Sequence, residues 1–330
     1  MSAYGFGGMI KKLKENPKTI VFTEGTDARI LEAASRLLAS NYLTPILVGD
    51  ADKIQEAAEE EGYNIRGANI IDPNHYDRFD EMVDLFCEIR KSKGMTPEKA
   101  RPILLAPNYF GTMLVKMGVA DCLLGGATYS TADTVRPALQ IIKTKPGNNI
   151  VSSCFILVRP AATGGREVFA MGDCAINIHP SEDDLVEICG ETAECAKVFG
   201  VDPKVAFLSF STAGSAKDES VTKVQNAVKK AQEKYPDLPI EGEMQFDAAV
   251  SPRVANQKLP GAKVAGHANT FIFPDINAGN IGYKIAQRMG GFEAYGPILL
   301  GLNAAINDLS RGCNAVEVHS MAIVTAALAN

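Results

Sequence analysis

Across residues 19–143, short apolar runs alternate with amphipathic helical segments through tight connections, and this rhythm constrains the fold more than any other feature. Residues 19–22 read as a strand, 24–27 as a turn and 28–40 as a helix. Residues 45–48 form the next strand, stopped by Gly49-Asp50, and 52–61 the next helix. The helical signal recurs at 80–91, 110–117 and 134–143, with a buried strand at 121–124. Strands alternating with helices over short links predict a parallel sheet covered by helices. A Pro/Gly/Asn cluster, Lys145-Pro146-Gly147-Asn148-Asn149, marks a crossover into a second region. There, 151–158 and 167–170 flank Ala162-Thr163-Gly164-Gly165 as a hairpin. Ser181, with Asp184 three residues on, starts a helix that runs to Val198. A strand at 204–210 and a charged surface helix at 220–235 follow, then short strands at 263–265 and 270–273 and a helix at 281–289. The last helix, 315–328, is apolar on most faces and is expected to be buried.

At 330 residues the chain exceeds one ordinary core, so two α/β lobes are expected. A formal net charge of −6 argues against a nucleic-acid partner, which demands a basic face, but leaves room for a small phosphorylated ligand held by a few arginines. No stretch approaches the roughly 18 apolar residues of a membrane span. Lys11 and Lys12 have no apolar run behind them, so the start does not read as a signal peptide. Seven cysteines without a CxxC pair read as reduced, mostly buried thiols, which places the chain in the cytoplasm. The four histidines are scattered, and no metal site is expected.

Four stretches could carry chemistry. In Gly125-Gly126-Ala127-Thr128-Tyr129-Ser130-Thr131, a buried strand ends in glycines and a helix begins with Thr131 as its cap. Such a helix start favours an anion, and Arg136 lies about one and a half turns in. A tight turn, an ordinary cap and a surface arginine account for the same residues. The pattern is neither a dinucleotide fingerprint nor a Walker loop. Ser209-Phe210-Ser211-Thr212-Ala213-Gly214-Ser215-Ala216 could line a ligand or simply connect a strand to a helix. Pro274-Asp275-Ile276-Asn277-Ala278-Gly279-Asn280 reads as a loop with Asn277 capping the next helix. The strongest stretch runs from Gly296 to Glu317. In it Asp308-Leu309-Ser310-Arg311-Gly312-Cys313 sets an arginine beside a serine and a glycine, a good phosphate clamp because the guanidinium fork matches phosphate oxygens in pairs. Glu317 stands in the first turn of the last helix, where Asn314-x-x-Glu317 is also a capping-box pattern.

Taken together, these stretches resemble the phosphate acetyltransferase (phosphotransacetylase) family over essentially the whole chain. The resemblance includes Phe22-Thr23-Glu24-Gly25-Thr26-Asp27, Ile89-Arg90-Lys91-Ser92-Lys93-Gly94-Met95-Thr96, Gly172-Asp173-Cys174-Ala175 and Glu241-Gly242-Glu243-Met244-Gln245-Phe246-Asp247, in addition to the runs at 126–136 and 308–313. It implies two three-layer α/β lobes of the isocitrate/isopropylmalate dehydrogenase-like superfamily, with the active site in an inter-lobe cleft, in a homodimer. The first lobe would span 1–146, completed by 298–330, and the second 147–297. By resemblance, Ser310 and Arg311 bind acetyl phosphate, Arg90 and Arg136 bind coenzyme A, and Thr131 stands among the substrate-binding residues. The family places an aspartate seven residues after the motif serine as the base for the thiol; here that position is Glu317, one methylene longer. The implied reaction is reversible acetyl transfer between acetyl-CoA and orthophosphate. No cofactor is implied, since coenzyme A and acetyl phosphate are substrates. A phosphate butyryltransferase and a non-catalytic acyl-CoA-sensing homologue are the alternatives. The absence of clustered aspartates disfavours a metal-dependent dehydrogenase of related fold.

Overall fold

The computed structural model describes residues 6–329, which divide into two units: Phe6–Pro146 with the segment from Leu302 onward, and Gly147–Gly301. Helix α1 (Gly7–Glu15) precedes strand β1 (Lys18–Phe22), after which α2 (Ala28–Ser40), β2 (Leu43–Val48), α3 (Ala51–Glu60) and β3 (Asn69–Ile71) follow in strict alternation. Asp27 and Asp50 cap α2 and α3 by accepting the backbone N–H groups of Arg29 and Lys53. Helices α4 (Phe79–Ile89), α5 (Pro97–Leu104) and α6 (Pro107–Lys116) lead to β4 (Cys122–Gly125) and α7 (Thr131–Pro137). The helix expected over 134–143 is therefore two pieces: α7 ends at Pro137, and a π-turn spans Ala138–Ile142. Thr131 is the first helical residue, with Ser130 in the cap position, which corrects the reading of Thr131 as the cap.

In the second unit, β5 (Ser152–Pro160) and β6 (Arg166–Gly172) form the expected hairpin. Helix α8 (Glu182–Val198) starts with the expected Ser181/Asp184 capping box. Then come β7 (Val205–Leu208), α9 (Glu219–Lys234), β8 (Ile240–Met244), α10 (Phe246–Val250), α11 (Pro252–Lys258), β9 (Thr270–Ile272), α12 (Ile276–Met289) and β10 (Glu293–Leu300). The sheet order is β10-β5-β6-β9-β7-β8, antiparallel at the β10 end and parallel from β6 onward. One face packs Phe155, Leu157, Met171, Met244 and Phe271 beneath α10–α12, and the other packs Val205, Phe207 and Ile272 beneath α8 and α9. Two expectations fail here. Residues 263–265 are not a strand, because the Glu241 carboxylate takes the N–H groups of Lys263, Val264 and Ala265 at 2.7, 3.0 and 3.0 Å, in place of a neighbouring strand. Helix α12 starts five residues earlier than expected, capped by Asp275 rather than Asn277, with Ala278 N donating to Asp275 Oδ1 at 3.0 Å.

The chain then returns to the first unit as β11 (Ala305–Asp308) and α13 (Ala315–Leu328). Its sheet, β11-β4-β1-β2-β3, is parallel throughout. Val21, Ile46, Leu123 and Ile306 face a core built with Phe86, Phe110, Met113 and Ile141. The opposite face is covered by α2 and α13, and α13 buries Val318, Met321, Ile323 and Val324. Helices on both faces explain why β1 and β4 are buried at nearly every position rather than alternating.

Candidate active site

From β1 the chain steps outward through β2 to β3, then returns to lay β4 on the other side of β1. Parallel strands whose crossovers leave in opposite directions open a crevice at their carboxyl ends, where ligands of such sheets bind. Thr23 and Glu24 follow β1 at this edge, Gly126–Ser130 follow β4, and residues 309–314 follow β11. Leu309 N donates to Gly125 O at 2.7 Å and carries the β4/β11 pairing into the loop.

Polar groups converge beneath this edge. Glu24 accepts the N–H groups of Gly126 (2.9 Å) and Thr128 (3.2 Å) and the Thr23 hydroxyl (2.6 Å). Burial pushes its carboxyl up, against those hydrogen bonds. Asp308, 2% exposed, accepts the hydroxyls of Thr131 and Thr134, each at 2.5 Å, and burial raises it also. Only glycine fits at 126: φ is +98°, and a Cβ would lie 2.2 Å from Asp308 Oδ1. Arg29, paired with Asp27 at 2.7 Å, donates to the carbonyls of Ala127 (2.9 Å), Arg311 (2.9 Å) and Cys313 (3.2 Å).

Ser310 and Arg311 are both exposed at the rim. Ser310 Oγ accepts Gly312 N at 3.3 Å, and the Arg311 guanidinium has no protein acceptor among the described residues. Thr131 joins this group through Asp308. Arg136 is exposed and only loosely paired with Asp133, at 3.4 Å. Arg90, at the end of α4, has a buried Nε without a hydrogen-bond partner. Burial raises the Tyr109 phenol, against the opposing charges of Arg136 and Arg90, and its hydroxyl donates to Gln140 Oε1 at 3.1 Å. Glu317 is exposed and forms the capping box, with Asn314 N donating to its Oε2 at 3.0 Å while Asn314 Oδ1 accepts the N–H groups of Val316 and Glu317.

The Phosphate acetyl/butaryl transferase family matches residues 7–326. The chain belongs to this family. It is 52% identical over 324 residues to the phosphate acetyltransferase of Bacillus subtilis (strain 168), covering 98% of each. A phosphotransacetylase structure from Streptococcus pyogenes is similar with a TM-score of 0.93 at 52% identity, covering 98% of this chain and 97% of that one. A dehydrogenase-like protein from Salmonella typhimurium shares the fold alone, with a TM-score of 0.55 at 12% identity over 95% of this chain and all of that one.

Within this family member, the other stretches singled out in the sequence belong to the second unit. Residues 296–300 are part of β10, and the loop at 274–280 is mostly the first turn of α12. In the loop after β7, the N–H groups of residues 211–216 all find protein acceptors: Ser209 Oγ, Ser215 Oγ, Glu243 O, Glu243 Oε1, Thr212 O and Ser211 Oγ in turn. Three residues of the site carried no role in the sequence reading: Glu24, Arg29 and Asp308. For Glu24 and Asp308 the signal was position, since one stands just past β1 and the other ends β11 at the carboxyl edge of the sheet; Arg29, in the first turn of α2, carried no such signal.

Proposed function

We propose that the chain is a phosphate acetyltransferase, an acyltransferase that exchanges an acetyl group between coenzyme A and orthophosphate. The observation that carries this reading is the exposed Ser310-Arg311 pair at the switch-point edge, where Arg29 holds the Arg311 carbonyl and the Arg311 guanidinium has no protein acceptor among the described residues. Arg311 grips the phosphoryl oxygens as a fork, with Ser310 and Thr131 beside it. The N-terminus of α13 contributes little to the anion, since its own cap occupies the N–H groups of Val316 and Glu317. Arg90 and Arg136 bind the phosphates of coenzyme A, and the unpartnered Nε of Arg90 supports this.

With a pKa of roughly 8.5, the thiol is only a few per cent ionised at neutral pH, so a proton acceptor helps. Glu317 takes that part: the capping box engages Oε2, and Oε1 has no partner among the described residues. The thiolate sulfur then bonds to the acetyl carbon as the carbon–oxygen bond to phosphate breaks, and the electron pair leaves with phosphate against Arg311. No acetyl-enzyme and no cofactor are needed. The enzyme acts in the cytoplasm as a homodimer; Ile281, Ile285 and Met289, spaced four residues apart along α12, are 57%, 54% and 84% exposed and give a self-association surface.

The test is thioester formation by the purified chain from coenzyme A with acetyl phosphate and, in parallel, with butyryl phosphate. Faster turnover of acetyl phosphate is the expected result. Preference for butyryl phosphate would reassign the acyl group, and coenzyme A binding without turnover of either would identify a sensing homologue.

A further inference from the structure

The loops carrying Gly126–Ser130 and Ser310–Arg311 share their anchors with a third loop, the one after β1. Glu24 fixes the first through the N–H groups of Gly126 and Thr128. Gly126 in turn lies against the stretch before Ser310, since a Cβ built there would meet Leu309 N and O at 3.0 Å. Five residues past Glu24, Arg29 ties Ala127 O to Arg311 O and Cys313 O, with Asp27 holding its Nε and Nη2 at 2.9 and 2.7 Å. Hydrogen bonds to an ionised group are stronger than neutral ones, so this clasp is stiff compared with the loops it holds. Helix α7 has anchors of its own: Thr131 and Thr134 on Asp308, and Asn108 Nδ2 donating to Asp133 O at 2.8 Å.

We propose that Glu24 is a positioning residue for the acyl-phosphate side of the site, setting the path of residues 126–128 and, through Gly126, the placement of Ser310 and Arg311. The inference rests on the function proposed above. A misplacement of about 1 Å at a reacting group can lower the rate about a hundredfold, so a lost clasp shows as a defect specific to one substrate. Because α7 is anchored separately, the coenzyme A side keeps its affinity.

The experiment compares the parent with Glu24→Met and Glu24→Ala, both of which remove the oxygen that accepts from Gly126 and Thr128. Expected is a fall of about tenfold or more in kcat/KM for acetyl phosphate, with the KM for coenzyme A within about twofold of the parent. Acetyl-phosphate constants equal to the parent's in a folded variant overturn the proposal. So do losses that track the folded fraction and leave both KM values unchanged, since that marks a merely structural role. Should Glu24→Ala fail to fold, Glu24→Met, which keeps the length of the side chain and removes the oxygen that Gly126 and Thr128 donate to, carries the comparison. If the parent shows no turnover, the proposed function fails on its own, and calorimetric titration with inorganic phosphate replaces kinetics: equal affinity in parent and Glu24→Met then overturns this inference.

Discussion

Two loops in this protein read alike in sequence and differ in what they leave available. Each follows a buried parallel strand, is rich in glycine and hydroxyl residues, leads to a helix, and is held by a glutamate. In the loop after β7, Glu243 accepts Gly214 N and the Ser211 hydroxyl at 2.8 Å each, and the N–H groups of residues 211–216 are all satisfied within the loop or by Glu243. In the loop after β4, Glu24 secures Gly126 and Thr128, while Arg311 and Arg136 stand exposed nearby on the same unit. Composition sets neither outcome. What differs is how the two loops spend their polar groups: the β7 loop turns its N–H groups inward, whereas the switch point between β1 and β4 sets Arg311 beside its loops without a protein acceptor among the described residues.

The comparison breaks first at Arg311. Arg311→Ala should lower kcat/KM for acetyl phosphate by about 10³-fold and leave the melting temperature unchanged, because the guanidinium bonds to no other residue among those described. Retained activity would remove the charge that distinguishes the two loops. Next is Asp308→Ala, which strands two threonine hydroxyls in a buried site and should cost about 3 kcal/mol in urea unfolding; a loss under about 1 kcal/mol would deny it an anchoring role.

Glu317 sharpens the contrast between a cap and a base. Glu317→Ala should cost about 1 kcal/mol of stability as a lost cap and most of the activity, whereas Glu317→Asp keeps both. Aspartate already serves at the same position of the α8 capping box. An alanine variant as active as the parent would leave capping as the sole role.

The smallest effect concerns the two glutamates themselves. Glu24 is raised above its ordinary 4.5, so its contribution to stability is full below that value and is lost as pH rises through the higher folded value. At Glu243, burial works upward, but bonds from Gly214, Ser211 and Gln225 carry it below 4.5; its contribution is present above 4.5 and lost as pH falls through the lower folded value. With rising pH across the acid range, Glu24→Gln should therefore gain melting temperature relative to the parent, and Glu243→Gln should lose it. Curves that tilt the same way would make the two carboxylates equivalent.

Much was legible because the signals were local. Alternation at 19–48, the hairpin at 151–170 and the Ser181 capping box involve neighbours in sequence, and each stands where its pattern predicts. The failures involve partners far away. Residues 263–265 looked like a strand, but a glutamate more than twenty positions earlier takes their N–H groups. Strand β11 ends in Asn307 and Asp308, polar residues that disguise a strand until Thr325 and the α7 threonines are seen to receive them.

The sequence alone determined the class of fold and the family, and it singled out Ser310, Arg311 and Glu317 as candidates, because periodicity and contiguous motifs are written along the chain. Only the tertiary structure decided that Glu317 lies in a closed capping box, that Thr131 binds Asp308 instead of capping its helix, and that Glu24 and Arg29 hold loops remote from them in sequence. The physical reason is that a hydrogen bond chooses its partner by distance and direction in space. At the carboxyl edge of a parallel sheet, those partners come from segments up to 284 positions apart.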